Sequence, residues 1–179
     1  NQSAELKGEM IFSGKIENPN SESIELLDLK RKVVQQIQVS TEGKFSDTFE
    51  IQEGYYYLND GNESTPLYLK PGFNLTLSMN TAEFDESIVY KGKGAVENNY
   101  LAQKALMQEG FGQLNYYAYY VKLSEERFLT ISDSLFKLQK DFLEKQKDIS
   151  ADFSFIELKT LGLDYNRKSS EFEGMKRYL

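Results

Sequence analysis

The first half of the chain alternates apolar and polar residues with a period of two, which predicts β-strands. In the clearest segment, Phe45, Phe49 and Ile51 alternate with polar residues over positions 44–51. One face of that strand is therefore expected to point inward. Eight such segments are predicted between turn signals, at about 9–16, 23–29, 33–39, 44–51, 54–58, 65–70, 74–79 and 88–90.

The period changes to about 3.6 residues within the stretch 88–101, which predicts that helices follow. Gly94 is the expected N-cap of the first helix, and Glu97 in its first turn suits the helix dipole. Ser124 is expected to begin a long helix that ends at about Lys147, and Ser150 a last helix over 151–169. The apolar face of the long helix is wide and comprises Phe128, Leu129, Ile131, Leu135, Phe136, Leu138, Phe142 and Leu143.

These patterns predict an α+β fold. An N-terminal antiparallel β-sandwich or flattened barrel of about eight strands would be followed by a C-terminal all-helical segment of three to four helices. The expected organisation is a tether at 1–8, a β-sandwich domain at 9–91, and a helical segment at 92–179 packed on it. The chain begins with Asn1 rather than Met, which suggests a processed or excised chain.

The amino-acid composition excludes several kinds of catalytic and metal site. The chain has no Cys and no His, which excludes disulfides, thiolate catalysis, imidazole bases and the usual zinc ligand sets. No cofactor is therefore expected, and no metal. Positions 1–91 hold 8 basic against 15 acidic residues, so the whole net charge of −7 lies on the strand half. That charge argues against a nucleic-acid partner, and no apolar run is long enough to predict a membrane span.

The candidate binding residues are four tyrosines in the segment 110–123, namely Tyr116, Tyr117, Tyr119 and Tyr120. They are too dense for one buried helix face. Burial between the helices and the sheet is the first interpretation, because aromatic side chains dominate core contacts. An exposed platform for a sugar, a peptide or a partner domain is the alternative.

Two charged segments admit a binding and a turn interpretation. The basic patch 30–32 could bind an anion, but three successive charges are more typical of an exposed hairpin turn. The segment 59–62 resembles a calcium loop, yet the ligand spacing of an EF-hand fails at Leu58 and Leu67. A tight hairpin is favoured there.

Two further patterns could suggest catalysis. Gly92-Lys93-Gly94 lacks the spacing of a phosphate-binding P-loop. A hydrolase without His or Cys would need paired carboxylates, and the pair Asp85 and Glu86 has no motif around it. We therefore expect no catalytic residue in this chain.

Several segments, in this order, resemble a known family. They are Thr41-Glu42-Gly43-Lys44-Phe45, Gly54-Tyr55-Tyr56-Tyr57-Leu58, Leu67-Tyr68-Leu69-Lys70-Pro71-Gly72, Tyr90-Lys91-Gly92-Lys93-Gly94-Ala95 and Asn98-Asn99-Tyr100-Leu101. Over about 9–107 the chain resembles the domain of unknown function that precedes the thioredoxin-like domain (TlpA-like, AhpC/TSA-related) in envelope thiol-disulfide oxidoreductases of Gram-negative bacteria. The helical part beyond residue 108 matches only in general character.

The resemblance implies a secreted, often lipid-anchored protein of the periplasm or cell envelope. Redox chemistry would belong to a C-terminal Cys-x-x-Cys domain, into which the helical segment would lead. This chain would then be a non-catalytic accessory domain that docks or positions the redox domain and its substrate proteins. The alternative is an independent extracytoplasmic module that binds a glycan or peptide through the tyrosine-rich segment, although the chain has no Trp, the favoured stacking residue.

Overall fold

A computed structural model describes residues 6–110 and 122–178 and contains eight strands in this part of the chain. They form two four-stranded sheets with the spatial orders β4-β1-β7-β8 and β3-β2-β5-β6. The strand bounds are β1 Lys7–Glu17, β2 Ser23–Leu27, β3 Val33–Gln38, β4 Lys44–Gln52, β5 Gly54–Asn59, β6 Ser64–Leu69, β7 Asn74–Asn80 and β8 Val89–Lys93.

Strands followed by helices make this an α+β fold, as the sequence predicts. The first strand is longer than expected, since β1 begins at Lys7, inside the stretch 1–8 predicted as a tether. The predicted inward face of β4 is confirmed, and alternate residues of both β4 and β7 are buried. These are Phe45, Phe49, Ile51, Leu75, Leu77 and Met79.

The prediction of a wholly antiparallel sheet is wrong at one pairing, because β1 and β7 run parallel. A parallel pair needs a crossover connection, and here the chain between the two strands passes through all four strands of the other sheet and through β4. Gly14 of β1 lies opposite Leu77, and a Cβ there would lie about 3.0 Å from the Leu77 backbone nitrogen and carbonyl carbon. The glycine that interrupts the apolar pattern of β1 is therefore required by the close approach of β7.

The helices begin close to their predicted starts. Their bounds are a 3₁₀ turn at Thr81–Glu83, α1 Phe84–Ser87, α2 Ala95–Gly110, α3 Glu125–Glu144 and α4 Ala151–Arg177. The Ser124 hydroxyl accepts the Arg127 N–H and the Ser150 hydroxyl accepts the Phe153 N–H, each at 3.2 Å, so both predicted N-caps are confirmed. The last helix is longer than expected and continues from 169 to Arg177.

The chain divides into two compact units, Asn1–Ala105 and Leu106–Leu179. The first unit holds both sheets. In the second unit, α3 and α4 pack on each other, with the rings of Phe128 and Phe172 stacked at 4.1 Å between centroids. Neither of the long helices described in this unit is apolar enough to cross a membrane, and the same holds for α2.

The predicted apolar face of α3 is partly wrong. Leu129 and Leu138 are about 40% exposed, whereas the polar side chains of Ser132 and Gln139 are buried. The fully buried positions on α3 form a stripe at 128, 132, 135, 139 and 143, and Ile131 and Phe136 beside that stripe are partly buried. The two leucines lie outside that stripe.

Candidate functional site

The four tyrosines predicted to bind a ligand lie outside the described residues. Tyr116, Tyr117, Tyr119 and Tyr120 all fall between residues 110 and 122, where the description is interrupted. Their role stays a prediction. The structure does describe the other segments that the sequence singles out, and a set of buried and partly buried polar contacts lies where the strands give way to α2.

Glycine is required twice at this junction. Gly92 and Gly94 have φ angles of 87° and 102°, which side-chain-bearing residues rarely adopt. A Cβ on Gly94 would also lie 2.7 Å from Cε2 of Phe73, well inside van der Waals distance. The glycines that flank Lys93 thus turn the chain from β8 into α2, and their conformation rather than a bound phosphate explains them.

Asn98, in the first turns of α2, binds the edge of one sheet. Its Oδ1 accepts the backbone N–H of Tyr68, and its Nδ2 donates to the Tyr68 carbonyl, both at 2.9 Å. The same Nδ2 donates to the Gly94 carbonyl at 2.9 Å. Asn98 is fully buried, so these bonds satisfy an amide that would otherwise be costly to bury.

Asn99 makes the equivalent contact with the other sheet. Its Oδ1 accepts the N–H of Tyr90 at 2.8 Å, and its Nδ2 donates to the Tyr90 carbonyl at 2.9 Å. Tyr68 lies in β6 and Tyr90 in β8, which are edge strands of the two different sheets. We call Asn98 and Asn99 together the asparagine clasp. Sequence reasoning associated the pair with a family but missed this role, because helical periodicity gives no signal for a buried amide.

The buried ring of Tyr90 adds to this junction. Burial raises the pKa of its hydroxyl well above the usual value for tyrosine. Its oxygen has no hydrogen-bond partner among the described residues. Tyr90 therefore contributes through packing, and its hydroxyl stays protonated at any physiological pH.

The outer face of the β4-β1-β7 sheet carries a shallow, open groove of about 600 Å³. Short hydroxyl side chains line it, among them Ser13 and Thr76, whose oxygens lie 3.4 Å apart. Lys15 and Lys44 lie at one end, and Lys44 pairs at 3.4 Å with Glu42. Most of the groove lining is apolar, but its hydroxyl and ammonium groups offer hydrogen bonds to a hydroxylated or charged ligand.

The basic patch 30–32 is a hairpin turn. The carboxylate of Asp28 accepts the backbone N–H groups of Lys30 and Lys32 at 2.8 and 2.9 Å, and Arg31 has a φ of 66°. The Arg31 guanidinium lies over the ring of Tyr57 at 4.2 Å. The turn interpretation is confirmed.

The segment 59–62 is likewise a turn. The carboxylate of Asp60 is buried and accepts the N–H groups of Asn62 and Glu63 at 2.9 and 2.8 Å. Its second oxygen accepts the Asn20 side-chain amide at 2.8 Å. Both oxygens thus serve the loop itself, as in an Asx turn.

The carboxylate pair suggested for a hydrolase lies in α1. Asp85 and Glu86 occupy the first turn of that one-turn helix, whose Phe84 is buried. Among the described residues, no three acidic side chains come close enough to hold a metal ion.

The α3–α4 pair contains a polar seam. Ser132 and Gln139 line a cavity of about 10 Å³, the size of a single water molecule, together with Lys168. Lys168 lies 3.1 Å from Asp164, which also binds Arg167 at 2.5 Å. Partial burial acts to raise the pKa of Asp164, but the hydrogen bonds and charges of Arg167 and Lys168 outweigh it and lower that pKa. The cavity is too small for an organic substrate.

Comparisons with known proteins add little. No family model matches the chain, and no curated protein matches it. One solved structure that the chain matches is described as a "putative cell adhesion protein" from Bacteroides ovatus, at 8% identity and a TM-score of 0.29. The match spans 48% of this chain and 43% of that protein. A similarity at this level identifies neither a shared fold nor a shared function.

Proposed function

We propose that the chain is a non-catalytic accessory domain of an envelope thiol-disulfide oxidoreductase. In this proposal the redox chemistry belongs to a thioredoxin-like domain that follows in the parent protein. The present chain docks or positions that domain and its substrate proteins. The chain's lack of Cys and His leaves it without the groups that thiol exchange needs.

The main support for the proposal is that segments on which the family resemblance rests make structural contacts within the first unit. The segment 67–72 belongs to β6 and its end, where Tyr68 is bound by Asn98. The segment that begins at Tyr90 is bound by Asn99. The strand of the segment 54–58 pairs with β6 as well. These residues hold the two sheets of the first unit together through α2 and strand pairing, which supports a structural rather than a catalytic role.

The proposal includes the cellular setting and the finer fold. The compartment would be the periplasm or cell envelope of a Gram-negative bacterium, with a lipid anchor upstream, and the partners would be the thioredoxin-like domain and other envelope proteins. A sandwich of the two sheets is proposed rather than a flattened barrel. Two separately hydrogen-bonded sheets, each with its own edge strands, support that arrangement.

The parent gene provides the first test. The reading frame that contains residues 1–179 is expected to continue into a thioredoxin-like domain with a Cys-x-x-Cys motif. A stop codon directly after the codon for Leu179 would refute the proposal. A following domain without cysteines would do the same.

The groove on the β4-β1-β7 sheet favours a second candidate, an extracytoplasmic module that binds a glycan or peptide. Its hydroxyls and lysines suit a polar ligand, and the tyrosines at 116–120 would be a separate aromatic platform. The test is a titration with a panel of glycans in which intrinsic tyrosine fluorescence is the readout. A saturable response that Thr76→Ala weakens would assign binding to the groove. A response abolished by Tyr117→Ala alone would assign it to the tyrosines, and no response would count against this candidate.

A further inference from the structure

The edge strands β6 and β8 each present backbone groups that no other strand of the described residues covers. Such edges are templates for pairing with another chain, and proteins block them with proline, lysine, bulges or a covering element. In an antiparallel pair, backbone groups point alternately toward the partner and away from it. The Tyr68 and Tyr90 groups bound by the asparagine clasp point away from β5 and β7, at the open edges.

Both edges carry a second blocking feature. In β6, Pro66 precedes Tyr68 by two residues and shares its outward orientation, so it removes the neighbouring outward donor. In β8, Lys91 and Lys93 are exposed, and the positive φ of Gly92 bends the strand. Each edge strand thus carries two independent blocking features, which indicates that pairing of an open edge with another strand would be disadvantageous.

We propose that Asn98 and Asn99 form an edge lock that keeps β6 and β8 from accepting a strand of a second copy of this chain. Each side-chain amide imitates one residue of a neighbouring strand, with one acceptor and one donor. Because the two asparagines are adjacent on α2, a single helical turn closes one edge of each sheet. β8 is the edge that pairs when the lock is open, since β6 retains Pro66.

The test uses Asn99→Ala in the whole chain, because Asn99 is only partly buried and serves β8 alone. Asn166→Ala, at an exposed position on α4, is the matched control. Sedimentation velocity over a concentration series is expected to show association about tenfold stronger for Asn99→Ala than for the parent chain or the control. Amide exchange of Tyr90 is expected to be faster by a similar factor at low concentration and to slow again as the concentration rises.

A third variant separates edge pairing from general loss of structure. Val89 is exposed on β8, and Val89→Lys in the Asn99→Ala background adds a charge to the released edge. It is expected to abolish the added association while Tyr90 exchange stays fast. A folded Asn99→Ala chain that associates no more than the control overturns the proposal, as does association that Val89→Lys leaves unchanged. If both Asn99→Ala and the milder Asn99→Asp fail to fold by circular dichroism, the clasp is a folding requirement and the lock is refuted.

Discussion

Gly94→Ala should destabilise the first unit strongly, because two costs coincide at this position. The φ of 102° is unfavourable for any residue with a Cβ, by about 1–2 kcal/mol. The new methyl group would overlap the Phe73 ring, and overpacking of this kind costs about 1–3 kcal/mol. The sum is about 2–5 kcal/mol. In a unit of this size, each kcal/mol lowers the melting temperature by about 4 °C or more.

Two control variants make that measurement specific. Gly162→Ala lies inside α4, where a Cβ meets no atom within 4 Å, and should stabilise by up to about 1 kcal/mol through helix propensity. Lys93→Ala, between the two junction glycines, should change stability by less than about 0.5 kcal/mol. Thermal and urea unfolding followed by circular dichroism provides the values. If Gly94→Ala behaves like Lys93→Ala, the reasoning that glycine is needed for the turn is refuted.

Three further predictions concern buried or partly buried polar groups. Tyr90→Phe removes a buried hydroxyl that has no partner in the described part of the chain, so urea unfolding should show a free energy of unfolding that is equal or higher by up to about 1 kcal/mol. A decrease of more than about 1 kcal/mol would show that the hydroxyl has a hydrogen-bond partner. Gln139→Leu should likewise be neutral or stabilising, since its Nε2 is buried and unpaired in the same described ranges. The pKa of Asp164 is lowered in the folded state, so its stabilising effect is present above its ordinary pKa of 3.8 and is lost as the pH falls through the folded value. Asp164→Asn should therefore flatten the dependence of the free energy of unfolding on pH in that acidic range. An unchanged pH dependence would contradict the pairing with Arg167 and Lys168.

The strand half could be read from the sequence because its register is over-determined. Alternation at Phe45, Phe49 and Ile51 leaves only one face for the core, and a shift by one residue would expose all three. The parallel pairing of β1 with β7 could not be predicted in this way. Period-two patterns show which face is buried, but they do not show which strand lies beside it.

In the helical half, the helix starts could be predicted from the sequence, but the buried polar residues could not. The N-caps at Ser124 and Ser150 were predictable because a hydroxyl before an apolar run has a local cause. Burial of Ser132 and Gln139 was not, because it depends on where α4 lies against α3. Asn98 is the strongest example, since its partner Tyr68 is thirty residues away in the chain and no local pattern reports that contact.

We propose that this chain supports the redox chemistry of a parent oxidoreductase without performing it. The most direct test compares the proposed parent oxidoreductase with a version that lacks residues 1–179. We predict that the midpoint potential of the Cys-x-x-Cys pair is the same in both, because this chain has no cysteine. The rate of disulfide reduction in envelope substrate proteins is expected to fall without the domain. An unchanged rate on those proteins would contradict the account, and so would thiol-disulfide exchange activity in the isolated chain.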